Sequence, residues 1–150
     1  MANKLDRRQV LARGAALLSV GLVPAAFASP AEVELELAGL FGDRLIQAGR
    51  VTLKVPPIVE NGYSVPLAVE VDSPMTAEDY VRRIVLFAEE NPQPNIARFT
   101  LGPRAGRASI QTRIRLGGSQ TIRAIAELSD GSLWSTQTFS IVTLAACVIQ

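Results

Sequence analysis

The hydrophobic pattern changes period along the chain, and each change predicts a different element. An apolar run from about Gly14 to Ala26, broken by Pro24, comes first. From Glu32 to Gln47 the apolar positions Leu37, Leu40, Phe41 and Leu45 fall at helical spacing, with Glu34, Asp43 and Arg44 elsewhere. That predicts one N-terminal amphipathic helix, stopped by Gly49, whose stripe packs on a sheet or a partner. The period then becomes two. Val51, Leu53 and Val55 alternate with Thr52 and Lys54 before Pro56-Pro57 interrupts. Asn61-Gly62 between apolar runs predicts a tight turn. Val65, Leu67, Val69 and Val71 alternate with polar or small residues, and Pro66 places that strand at an edge or marks its first residues.

The second half continues in the same way. Thr76 followed by Asp79 resembles a helix cap, but Tyr80, Val81 and Ile84 to Phe87 are β-branched, aromatic or apolar and favour a strand. Asn91 to Asn95, with two prolines, reads as a loop, and Ile96 to Leu101 as a short strand. Between Arg107 and Leu116, Ala108, Ile110, Thr112, Ile114 and Leu116 share one face; Arg107, Arg113 and Arg115 share the other. Gly117-Gly118-Ser119 turns the chain into a strand from Gln120 to Leu128. Asp130-Gly131 forms a hairpin, and Ser135 to Leu144 closes the sheet. Roughly seven short strands with regular turn signals predict an all-β, immunoglobulin-like antiparallel β-sandwich carrying one N-terminal helix. Trp134 has no disulfide to pack against.

Composition adds the compartment and removes several chemistries. Arg7 and Arg8 precede the apolar run, and Ala26-Phe27-Ala28 fits a small-x-small cleavage rule. The run falls short of the roughly 20 apolar residues of a membrane span. Residues 1–28 therefore read as a cleaved twin-arginine signal ending at Ala28, with export to the periplasm in a folded state. Residues 29–144 form the domain and 145–150 a C-terminal arm. The signal is net +3 in a chain of net +1, so the exported part is net −2. That argues against sequence-independent nucleic-acid binding, which needs a basic footprint. With no histidine, Ser-His-Asp and Cys-His catalysis and histidine metal sites are excluded. No phosphate loop is present, and no cofactor or metal is expected.

The single cysteine, Cys147, lies three residues from the end, between Ala145-Ala146 and Val148-Ile149. In an oxidising compartment a lone cysteine implies a reactive thiol, a bond to another chain or simple burial. A free thiol is only a few per cent thiolate near neutral pH, so the position supplies mainly reach. Three extended residues past a strand end would carry the sulfur about 10 Å from the domain. The apolar neighbours Leu144, Val148 and Ile149 are equally those of a buried final strand. Arg107, Arg113 and Arg115 read either as a solvated sheet face or as a docking face for an acidic partner or a thiol-borne anion.

The chain resembles the SoxY family, the sulfur-carrying subunits of the SoxYZ complex. The likeness comprises the twin-arginine leader, Pro57-x-x-Glu60-Asn61-Gly62, Val65-Pro66 and Asp72-Ser73-Pro74-Met75-Thr76. It continues through Asn91-Pro92-x-Pro94, Thr112-Arg113-Ile114-Arg115-Leu116, Ser119-Gln120 and Asp130-Gly131 to the terminal cysteine. The resemblance implies an immunoglobulin-like sandwich in a heterodimer with a SoxZ-type subunit. It also implies that Cys147 holds sulfur intermediates covalently for separate sulfur-oxidation enzymes, the chain itself not being an enzyme. Independently of the resemblance, a lone exported thiol allows a Cys147–Cys147 linked dimer as a resting or inactivated form. The arm departs from the family's Gly-Gly-Cys-Gly-Gly and is similar to a related group with Ala-Ala-Cys-Ile-Glu. Alanine narrows backbone freedom and Val148 and Ile149 are stiff, so an extended apolar peg is expected in place of a free swing.

Overall fold

The computed structural model describes residues 30–146. The signal, with Arg7, Arg8 and Ala28, and the tip residues Cys147, Val148 and Ile149 lie outside them. Helix α1 spans Pro30–Phe41. The strands are β1 (Ile46–Ala48), β2 (Val51–Lys54), β3 (Ile58–Asn61), β4 (Val65–Val71), β5 (Val81–Ala88), β6 (Asn95–Thr100), β7 (Ser109–Ile114), β8 (Gln120–Leu128) and β9 (Leu133–Leu144). They form two sheets, a larger one in the order β1-β9-β8-β5-β6, with β3 also on β9, and a smaller one, β2-β4-β7. Among the described residues no helix is long and apolar enough to cross a membrane.

The sandwich core lies between the sheets. β4 supplies Val65, Leu67, Val69 and Val71 from the small sheet, facing Ile84, Leu86, Ile122 and Ala124 of the large one. The opposite face of β5 and β8 is also buried. There Val85, Phe87 and Ile125 meet Val33, Leu37 and Phe41 of α1. The helical stripe therefore packs on this chain's own sheet, each buried side chain contributing about 1.5–3 kcal/mol. Burial on both faces explains why Ile84 to Ala88 is an unbroken apolar run with no alternation. Thr76 makes the cap-like bond, its Oγ1 accepting from Asp79 N–H at 3.0 Å, but a bend follows and β5 begins at Val81, a strand as expected.

Three expectations are corrected. The helix ends at Phe41, well before Gly49, because Gly42 takes a φ of 64° and its N–H bonds back to the Ala38 carbonyl. Leu45 is consequently outside the helix and exposed, while Val33 takes its place in the stripe. The described residues form nine strands, the two extra ones being β1 and β3, which run parallel to β9 along one edge. The rest of the sandwich is antiparallel, as the alternation predicted. The tight turn expected at Asn61-Gly62 is present, with Asn61 Oδ1 accepting from Tyr63 N–H at 2.9 Å, and it links strands of different sheets, since β3 pairs with β9 and β4 with β2 and β7. Pro66 sits near the start of β4, where β7 pairs with it but β2, which begins its pairing at Ala68, has not arrived. The Asp130-Gly131 turn does join a hairpin, β8 to β9, with Gly131 at a φ of 85°.

Beside this hairpin Glu127 is almost fully buried. Its carboxylate accepts hydrogen bonds from Arg44 Nη1 at 2.9 Å and from Arg83 Nη2 at 2.6 Å. Both guanidiniums also lie over the Phe41 ring, 5.7 and 5.0 Å from its centre. Arg44 adds bonds to the carbonyls of Phe41 and Gly131. One carboxylate thus ties the end of α1, β5 and the hairpin together. Burial pushes this carboxyl upward, but the bonds and charges of Arg44 and Arg83 outweigh it and hold Glu127 below the usual carboxylate range.

Candidate functional site

The site to be built is the root of the C-terminal arm, the last described residues before Cys147. β9 leaves the sheet at Leu144. Three backbone or side-chain contacts pin its end at every second residue. Val142 N–H donates to Ser119 Oγ at 2.9 Å. The Leu144 carbonyl accepts from Gly62 N–H at 2.8 Å, and Ala146 N–H donates to the Leu116 carbonyl at 3.0 Å. Leu116 N–H in turn donates to the Gly62 carbonyl at 2.9 Å. Segments 61–63, 116 and 144–146 therefore cross as bare backbone.

Gly62 makes that crossing possible. A Cβ at this position would collide with the Leu116 carbonyl oxygen and stand 3.0 Å from Ala146 N and 3.1 Å from Val142 Cγ1. Its φ is not in the left-handed region, so the requirement is for space rather than for a turn conformation. Behind the crossing, Asn91 is buried and fully engaged. Its Nδ2 donates to the Arg115 carbonyl, while its Oδ1 accepts from Gly117 N–H and Gln120 Nε2, each at 2.9 Å. This fixes the 115–117 segment that receives Ala146.

The sequence-derived site residues fall as follows. Ala145 is exposed, whereas Ala146 is buried and hydrogen bonded. Arg107, Arg113 and Arg115 are all exposed. Arg113 reaches Ser64, with Nη1 3.2 Å from its Oγ, two residues from Gly62. Arg115 adjoins Leu116. Arg107 precedes the other end of β7, six residues and roughly 20 Å along an extended chain from Arg113. Two of the three arginines thus neighbour the arm root and the third does not. Among the described residues no group of three His, Cys, Asp or Glu side chains gathers as a metal site. Sequence reasoning missed Gly62, Leu116 and Asn91 as parts of the site. The one available signal was Asn61-Gly62, which equally marks a turn and a close backbone approach.

The family profile described as sulfur oxidation protein SoxY matches residues 37–147, most of the chain and including Cys147. The chain belongs to the SoxY family. It is similar to the sulfur carrier protein SoxY from Chlorobium limicola f thiosulfatophilum, with 26% identity and a TM-score of 0.65, covering 77% of this chain and 100% of that one. Superoxide reductase (neelaredoxin) from Ignicoccus hospitalis matches at 19% identity and TM-score 0.57, covering 77% and 94%. Superoxide reductase from Nanoarchaeum equitans matches at 15% and 0.53, covering 63% and 99%. At those identities the superoxide reductases share the fold alone. No curated protein gives a significant match. Membership in the SoxY family accords with the sandwich, the helix ahead of it and a sulfur-oxidation carrier.

Proposed function

We propose that this chain is a periplasmic sulfur carrier whose Cys147 holds sulfur intermediates covalently and offers them to partner enzymes. The observation that supports it most is the match to the SoxY family through residue 147, with the fold delivering the chain to that cysteine from a pinned strand end. The chemistry needs only a thiol. Its thiolate attacks the sulfane sulfur of a polysulfide, forming one S–S bond and breaking another, and the leaving sulfide takes the electron pair. Coupling to thiosulfate instead releases two electrons and a proton, and a redox partner enzyme receives the electrons. Arg113 and Arg115 then offer positive charge near an anionic adduct or an acidic partner.

Intact-mass analysis of the protein from cells oxidising sulfur compounds tests this reading. Whole-sulfur or S-thiosulfonate increments mapped to Cys147 are expected. Only free, glutathione-capped or Cys147–Cys147 linked protein would overturn it.

The proposed SoxZ-type partner has a suitable surface. Beyond the edge of α1, the outer face of the large sheet leaves Ile58, Phe139 and Ile141 exposed. Ile58 and Ile141 are register partners on β3 and β9, and Phe139 lies two residues along β9 on the same face. Phe139→Asp combined with Ile141→Lys is expected to weaken co-purification of the partner by at least thirtyfold, as for a central hot spot of about 2 kcal/mol. Unchanged recovery of the heterodimer would place the interface elsewhere.

A further inference from the structure

We propose that Gly62 is a positioning residue that sets the reach of Cys147. This rests on the carrier reading for its purpose, but its geometry stands independently. An unanchored chain leaving β9 at Leu144 would give the cysteine three residues of freedom. The Ala146 N–H bond to Leu116 removes two of them, because it fixes the residue directly before the cysteine. Consecutive Cα atoms are about 3.8 Å apart, so the anchored backbone lies one peptide from the sulfur-bearing residue.

The anchor exists only because the chain at 62 lacks a side chain. Gly62 grips both other strands of the crossing, donating to Leu144 and accepting from Leu116, while Leu116 holds Ala146. A methyl group at 62 strikes the Leu116 carbonyl oxygen and crowds Ala146 N, both backbone atoms, so no side-chain rearrangement can absorb it. The crossing must open, and residues 144–146 then join the arm. An enzyme that acts on the natural carrier has to bring its reacting group to the domain surface around Leu144 and Tyr63, both exposed there. Lengthening the arm relaxes that demand and lowers the local concentration of thiol at the enzyme.

Because Cys147 is the only cysteine, a nitroxide label attaches to it in the otherwise unaltered protein. In Gly62→Ala, amide exchange at Leu116 and Ala146 is expected to quicken at least tenfold, and the nitroxide spectrum to narrow, in protein still folded by circular dichroism. A glycine needed for stability alone would lower the melting point and leave the spectrum of the folded fraction unchanged. That result overturns the proposal. Should Gly62→Ala not fold, Ala146→Pro removes the last donor while keeping Gly62. It is expected to narrow the spectrum likewise, and an unchanged spectrum again overturns it. Adduct mass on unlabelled Cys147 reports separately on the carrier reading, so the two failures are distinguishable.

Discussion

Cys147→Ser is expected to abolish sulfur loading completely and to stop sulfur-compound oxidation in cells that depend on this carrier. Serine keeps the size and removes the chemistry. Its oxygen forms no persulfide, and its hydroxyl supplies negligible oxyanion at neutral pH where a thiol is already a few per cent ionised. The contacts that pin the arm root run through the backbone of residues 142, 144 and 146, which the exchange of sulfur for oxygen at 147 leaves in place. The fold and the partner complex are therefore expected to survive the change, as melting and co-purification would show. Full activity of the serine chain would leave a non-covalent β-sandwich interaction subunit as the function, with the cysteine merely structural.

Replacing Glu127 is expected to cause a large loss of stability, and by a different route. Glu127→Ala leaves Arg44 and Arg83 converging over the Phe41 ring with no carboxylate between them. A fully buried ion pair that loses one member costs roughly 3–5 kcal/mol. Here the two arginines are partly exposed and regain water, so a cost of about 2 kcal/mol is expected, or roughly 6–12 °C in melting temperature for a domain of this size. The acid limb of the stability profile should change with it. The folded carboxyl titrates below its ordinary value of 4.5, so the unfolded chain binds its proton first as pH falls. The stabilisation is fully present above the unfolded value and is lost as pH drops through the folded one. In Glu127→Gln that part of the dependence disappears, which denaturant unfolding between pH 3 and 6 would detect, scanning a range set by ordinary carboxylate titration. A wild-type profile flat across that range would count against the network's role.

Much of the sandwich was legible from alternation. Val65 to Val71 and Gln120 to Leu128 declared their buried faces, because each has at least one face set by the inter-sheet core. What alternation could not reveal was pairing. β1 and β3 are only 3 and 4 residues long, and their partner is β9, far along the chain. Nothing local distinguishes such edge strands from loops. The helix end was misplaced for a related reason. Leu45 continued the helical spacing in sequence, but Gly42 had already turned the backbone. At the arm root the cysteine was conspicuous by its rarity, whereas its anchor is almost entirely backbone. Three segments distant in sequence meet there through amides and carbonyls, which every residue possesses. Only the missing side chain of Gly62 marks the place, and glycine before an apolar strand more often signals a turn.

Helix α1 has a bearing on how the protein can be handled. Its Val33, Leu37 and Phe41 cover Val85, Phe87 and Ile125 on the back of β5 and β8. A truncation that trims the front of the domain past Phe41 would bare a β-rich stretch, Ile84 to Ala88, containing no charge at all. Short uncharged segments of that kind nucleate fibrils when uncovered. A recombinant version intended for storage at high concentration is accordingly best begun ahead of Val33, with any purification handle placed where it cannot pry the helix away.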